Sequence, residues 1–238
     1  GYALEPASTP NLFTKANVAQ NMDSEIGDIT DLNHISESMK IFNPEVLIHM
    51  AAQPLVRLSY QKPVLTYATN VMGTVNVLEA ARKCTNLKAI VSVTTDKCYE
   101  NKEWPWAYRE NEPMGGHDPY SSSKGCVELV TFAYRKSFFI DENSAFLASA
   151  RAGNVIGGGD WAVDRIIPDC IRARANGQPI VLRNPGATRP WQHVLEPLSG
   201  YLQLGAALFD EPNRWAGAWN FGPACHEVRT VKDVAEHM

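Results

Sequence analysis

The sequence contains no Cys-x-x-Cys pair. Its five cysteines, Cys84, Cys98, Cys126, Cys170 and Cys225, are odd in number and widely spaced, a pattern that argues against a disulfide framework or zinc knuckle and predicts a reducing cytoplasm. No apolar run reaches the roughly 18 residues that span a bilayer. The N-terminus also lacks a basic segment followed by an apolar one, so neither a membrane span nor export is expected. Neither sign of charge dominates: 22 Lys and Arg face 26 Asp and Glu, a net charge of -4, and no nucleic-acid surface is indicated. There is no metal-ligand cluster, internal repeat, low-complexity segment or Gly-x-Gly-x-x-Gly turn. The chain also has no initiator Met, and Gly1-Tyr2-Ala3-Leu4 reads as the end of a strand, so a fragment is expected.

What remains is an ordinary globular composition, 45% hydrophobic and 20% charged over 238 residues, enough for a sizeable core. Three short apolar runs read as buried strands: Val46–Met50, Leu87–Val93 and Phe146–Ala150. Each ends in a polar or small-residue segment: Ala51-Ala52-Gln53-Pro54, Thr94-Thr95-Asp96-Lys97 and Arg151-Ala152-Gly153-Asn154. In a parallel sheet such ends share one carboxyl edge, where ligands bind. An α/β, Rossmann-like doubly wound sheet is therefore predicted.

Between these strands, Pro63 to Arg82 predicts one long helix with Val64, Ala68, Val71, Val75 and Leu78 as its core stripe and Tyr67, Asn70 and Asn76 off it. Thr30 or Asp31 is predicted to cap an earlier helix. Asp118-Pro119-Tyr120 predicts a helix capped by Asp118 with Pro119 at its first position, so that Tyr120 and Lys124 lie one turn apart on one face. A phenol is a weak base at neutral pH, and a neighbouring ammonium and the helix N-terminus both favour its phenolate. That pair is suited to moving a proton, although the same spacing also serves plain packing. The long loop Tyr99 to His117, with Trp104, Trp106 and Tyr108, is predicted to pack near a substrate. Leu198, Leu202, Ala206 and Phe209 give a further amphipathic helix, and Pro179 to Arg183 reads as extended.

Thr94-Thr95-Asp96-Lys97, Tyr120-x-x-x-Lys124, the Ala51-Ala52-Gln53 segment and Asn154-Val155-Ile156-Gly157 together resemble the extended short-chain dehydrogenase/reductases that act on nucleotide sugars. The resemblance covers essentially the whole chain. It implies that Thr95, Tyr120 and Lys124 are catalytic and that NAD is the cofactor, held by Asp28, Ile29, Ala51, Ala52, Gln53, Asn70, Tyr120 and Lys124. Asp28 reads equally well as a turn residue. It further implies that Asn154, Arg165 and Arg189 meet the diphosphate of a nucleotide sugar, with Arg165 also readable as a surface cation.

Within the family, Asp96-Lys97 stands where hexose dehydratases carry an acid-base dyad. With the Trp-rich loop and Asp-Pro-Tyr-Ser-x-Ser-Lys-Gly-Cys, it resembles the branch that dehydrates CDP-glucose. In that role Lys97 must be partly neutral, a state that burial beside a second cation would produce. Epimerases and reductases of the same fold, or a silent binding module, are the alternatives. The resemblance also implies a glycine-rich turn preceding Gly1, an NAD-binding domain over 1–155, a partial substrate lobe over 156–238 interleaved with returning Rossmann elements, and a homodimer formed through a four-helix bundle.

Overall fold

The computed structural model describes residues 1–141, 144–224 and 227–238, which fall into two compact units; Cys225 lies outside the described residues. One unit comprises residues 27–152 and 198–221. Its centre is a four-stranded parallel sheet in the order Val46–His49, Ala89–Val93, Phe146–Ala152, Ala218–Phe221. Because all four strands run the same way, the segments that follow them gather at one edge.

One face of this sheet is built on small side chains. Ala89, Val91, Ala148, Ala150 and Ala152 leave room for Tyr201, Leu204 and Leu208 of the helix Leu195–Asp210. The buried stripe of that helix therefore differs from the predicted one: Leu202 and Phe209 are exposed, whereas Tyr201, Leu204 and Leu208 are buried. Both stripes have helical spacing, and only the position of the sheet decides between them.

Two other expectations need correction. The strand Val46–His49 lies at the edge of the sheet among the described residues, so Val46 is exposed and only His49 is buried. The predicted long helix is interrupted: an α-helix over Pro63–Tyr67 passes into a π turn over Ala68–Met72 and back to an α-helix over Gly73–Ala81. The buried face also differs from the predicted stripe, from the first turn onward. Val64 is 81% exposed and Asn70 only 1%, the reverse of the periodicity argument. Inward-facing residues now include Thr66, Asn70, Gly73, Thr74, Val77 and Leu78. At Gly73 a Cβ would lie 2.5 Å from Ile29 Cδ1, so glycine permits this close contact.

The other unit comprises residues 1–26, 153–197 and 222–238. Tyr2–Ala3 pairs in parallel with Glu25–Ile26, Val155–Ile156 with Gln192–His193, and Thr188–Arg189 is antiparallel to Arg229–Thr230. Its helices include Ile166–Ala175 and Val231–Glu236, the latter opened by a Thr230/Asp233 capping box. Residues 179–183 form no strand.

Candidate active site

The helix Pro119–Ser137 forms as the sequence predicts. Asp118 accepts hydrogen bonds from Ser121 N (2.9 Å) and Ser121 Oγ (2.6 Å), and Pro119 occupies the first turn, where no amide donor is needed. Tyr120 N donates to Ser59 Oγ at 3.1 Å, so the short helix Val56–Gln61 anchors the turn that carries the phenol. Tyr120 and Lys124 are both buried one turn apart. Gly125 lets the Cys98 and Gly115 carbonyls approach this helix: a Cβ there would lie 3.0 Å from Gly115 O and 3.3 Å from Cys98 O.

Lys124 Nζ lies 3.5 Å from Val93 O, the last residue of the strand Ala89–Val93. That is a long contact for an ammonium with three donors, and it leaves hydrogen-bonding capacity for a ligand. Burial lowers the Lys124 pKa to about 8, opposed chiefly by the charge of Glu128. The next residues turn sharply. Thr95 caps a 3-10 turn over Asp96–Cys98, and its Oγ1 donates to Asp96 Oδ1 (3.0 Å). Lys97 Nζ is 3.8 Å from Asp96 Oδ1, and both side chains are about one-third exposed, at 36% and 34%. The burial expected for Lys97 is therefore absent, and its ion partner is a carboxylate in place of a second cation. The turn packs against the Tyr120 helix, so Thr95, Asp96, Lys97, Tyr120 and Lys124 share one neighbourhood.

Behind them runs a buried polar chain. Asn70 Oδ1 accepts from Gln53 N (2.7 Å), and Asn70 Nδ2 donates to Gln53 O (3.2 Å) and to Ser123 Oγ (2.9 Å), which in turn donates to Tyr120 O (2.7 Å). Gln53 Nε2 donates to Thr66 Oγ1 (2.9 Å). Thr74 Oγ1 gives its proton to Asn70 O (2.7 Å), so the 2.9 Å contact with His49 Nε2 requires His49 Nε2–H to be the donor. Asn70 thereby clamps the Ala51–Gln53 segment to the start of the helix Pro119–Ser137. Asp28 Oδ1 accepts from Thr30 N (2.8 Å), making a turn, while Ile29 is buried and its carbonyl accepts from Asn76 Nδ2 (3.0 Å).

His49 has a measurable consequence. Burial, with a smaller push from Lys124, lowers its pKa to about 3. An unfolded His titrates near 6.5, so the stability linked to His49 is complete above that pH and is lost as pH falls toward 3. The slope is about 1.4 kcal/mol per pH unit within that interval. Urea unfolding of His49→Asn at pH 6 and pH 5 should lack this slope relative to wild type, and equal slopes would contradict the burial of a neutral ring.

Sequence reasoning missed the buried ion pair deeper along the same helix. Glu128, two turns after Tyr120, accepts from Arg151 Nη2 (2.8 Å), Ser149 Oγ (2.8 Å) and Thr94 Oγ1. Arg151 Nη1 continues to Tyr99 Oη (2.7 Å) and Glu110 O (2.9 Å), and Tyr99 Oη donates to Asn220 Oδ1 (2.7 Å). The loop after Tyr99 is thus pinned to two strand ends, with Tyr99 stacked on Tyr108 and Trp104 on Trp106. The helical spacing of Glu128 was the one available signal for this network.

The diphosphate candidates belong to the other unit. Asn154 O accepts from Gln192 N (3.0 Å), and Asn154 Oδ1 is buried without a hydrogen-bond partner among the described residues. Arg165 Nε lies 3.7 Å from Asp160 Oδ2, and Arg189 is exposed, with Nη1 2.7 Å from Thr188 O.

Comparison with known proteins finds that the family described as GDP-mannose 4,6 dehydratase matches residues 6–207. The chain is 53% identical to a CDP-glucose 4,6-dehydratase of Salmonella typhimurium, over all of this chain and 67% of the relative. Among solved structures, a dTDP-glucose 4,6-dehydratase double mutant from Streptomyces venezuelae, with NAD bound, has a TM-score of 0.78 at 21% identity and covers 93% of this chain and 65% of its own. A UDP-glucose 4-epimerase of Thermus thermophilus in complex with NAD has a TM-score of 0.76 at 24% identity, covering 93% of this chain and 70% of its own. At these identities the two structures establish the Rossmann-like fold alone.

Proposed function

Because the chain belongs to the GDP-mannose 4,6 dehydratase family, within the extended short-chain dehydrogenase/reductases, we propose that it acts as an NAD-dependent nucleotide-sugar 4,6-dehydratase, converting CDP-glucose to CDP-4-keto-6-deoxyglucose and water. The observation that carries this reading is the 53% identity to a CDP-glucose 4,6-dehydratase along the entire chain, and the buried Tyr120–Lys124 pair beside the Thr95–Lys97 turn supports it. Three features fit a nicotinamide cofactor: the short side chains of Ala51 and Ala52 after a strand, a Gln53 backbone fixed by Asn70, and a Lys124 ammonium with donors to spare. Asp28 and Ile29, at the opening of the helix Leu32–Phe42, complete the proposed cofactor set. When bound, NAD supplies a hydride acceptor for C4 and the hydride returned to C6.

The side chains divide the proton transfers. Tyr120 removes the proton from the C4 hydroxyl, aided by the nearby Lys124 charge, and Thr95 holds the sugar oxygen. The C4 ketone acidifies the C5 proton; once the proton of the ion pair has passed from the Lys97 ammonium to the Asp96 carboxylate, neutral Lys97 removes the C5 proton while Asp96 protonates the departing C6 hydroxyl, which leaves as water. The 3.8 Å separation of Lys97 and Asp96 keeps acid and base on one turn. Arg165 and Arg189, with Asn154, serve the diphosphate, for which guanidinium groups are well matched; Arg165 must exchange Asp160 for phosphate.

We further assign a homodimer, supported by the exposed apolar residues Val64, Leu65 and Met72 on one helical run and Leu129 and Phe132 on the Tyr120 helix. A reducing cytoplasm fits the free thiols at Cys84, Cys98, Cys126 and Cys170. Among the described residues no helix is long and apolar enough to cross a membrane. The test is incubation of the enzyme with CDP-glucose, following conversion of the C6 hydroxymethyl to a methyl group by proton NMR. Appearance of the methyl signal is expected, and a C4-epimerised sugar with its C6 hydroxyl intact would select an epimerase instead.

A further inference from the structure

Tyr120, Lys124 and Glu128 recur at intervals of one helical turn, and all three are buried. The first two belong to the proposed chemistry, and Glu128 lies one turn further along the same helix, against the strand ends. Its carboxylate gathers Thr94 Oγ1, Ser149 Oγ and Arg151 Nη2. Thr94 immediately precedes Thr95. One buried anion therefore joins the catalytic helix to the strand end that carries the other half of the site, and its counter-ion Arg151 extends the connection to Tyr99 and Glu110.

We propose that Glu128 is a positioning residue of the Tyr120–Lys124 site, acting through the Thr94–Thr95 strand end and through its charge on Lys124, with Arg151 as its counter-ion. This rests on the dehydratase reading for the identity of the reaction, but not for the electrostatics. A carboxylate four residues from a lysine lies within reach across one turn and favours its ammonium form, opposing the burial that lowers the Lys124 pKa. Burial also works against charge on Arg151, yet its bond to Glu128 outweighs this and raises its pKa.

Other titratable groups surround Lys124 on the elements packed against its helix. His49 stands on the neighbouring strand and is held neutral. Asp96, Lys97 and Cys98 lie on the 3-10 turn, with burial raising the Cys98 thiol. Glu79, on the helix Gly73–Ala81, is occupied by Tyr134 and Arg82. Arg57, Tyr60 and Tyr67, on the two short helices before it, are exposed. Of these, Glu128 is the group that both hydrogen-bonds into the strand end and sits one turn from Lys124.

The test uses the intact enzyme labelled with 13C at lysine Cε, with the Lys124 resonance identified by its loss in Lys124→Met. In Glu128→Gln the Lys124 titration midpoint should fall by about one pH unit relative to wild type. With CDP-glucose, kcat should fall while KM stays near its wild-type value. Glu128→Gln leaves Arg151 buried without its partner and can fail to fold, so the double variant Glu128→Gln/Arg151→Met, which replaces the buried pair by neutral groups, is measured in parallel. A lowered midpoint in the folded double variant, by less than in Glu128→Gln because the Arg151 charge is removed with it, supports the proposal. An unchanged midpoint in either folded variant overturns it and leaves Glu128 a purely structural residue. Since the titration needs no substrate, a lowered midpoint without dehydration of CDP-glucose would refute the substrate reading while sustaining this one.

Discussion

Replacing Tyr120 by Phe lowers formation of the 4-keto-6-deoxy sugar by about a hundredfold or more, the range expected for a lost general base. The fold should be nearly unaffected, because the substitution keeps the ring and both backbone bonds of this residue, from Tyr120 N to Ser59 Oγ and from Ser123 Oγ to Tyr120 O. The ring remains packed in its buried position, and Lys124 keeps its contact with Val93 O. A purified variant with wild-type melting temperature and turnover reduced to that extent identifies the phenol as the base. Unchanged turnover would remove Tyr120 from the reaction.

A second large loss is expected at Lys97, with a different character. Lys97→Met leaves Thr95, Tyr120 and Lys124 in place, so oxidation at C4 continues while removal of the C5 proton fails. Overall product formation should again drop by about a hundredfold or more. With enzyme in excess over CDP-glucose, a borodeuteride quench should trap a C4 ketone that still bears its C6 hydroxyl, a species absent from the Tyr120→Phe reaction. If Lys97 serves only as a partly exposed ion partner of Asp96, a surface pair contributes about 0–1 kcal/mol and the Met variant keeps nearly normal turnover. The exposure of Lys97 makes this comparison informative, since burial does not prepare it for the role of base.

These expectations draw on features that differ in how readily a sequence exposes them. Asp118-Pro119 is a local signal: cap and first-turn residue are adjacent, and the helix begins where they indicate. The strand before Thr94 was equally legible, because its run is apolar apart from Ser92 and is buried on both faces. The Pro63–Ala81 run was misread because much of its buried stripe is polar: Thr66, Asn70 and Thr74 turn inward where the apolar pattern favours Val64, Asn70 bonding with Gln53 and Ser123, and the run is also interrupted by a π turn at Ala68–Met72. Nothing in the local pattern distinguishes that interruption from a regular helix. Partners such as Ser59 for Tyr120, or Asn220 for Tyr99, lie 61 and 121 residues away, and their side-chain types are common on any polar surface. Glu128 had the right spacing, but its meaning depends on Arg151 arriving from the strand Phe146–Ala152.

The most direct measurement follows the hydrogen on C4 of the substrate. With CDP-glucose deuterated at C4, the account predicts a 4-keto-6-deoxy product carrying the label in its C6 methyl group, since the hydride removed at C4 is returned at C6. Label retained at C4 of a sugar that keeps its C6 hydroxyl, or an unlabelled methyl group, would contradict it.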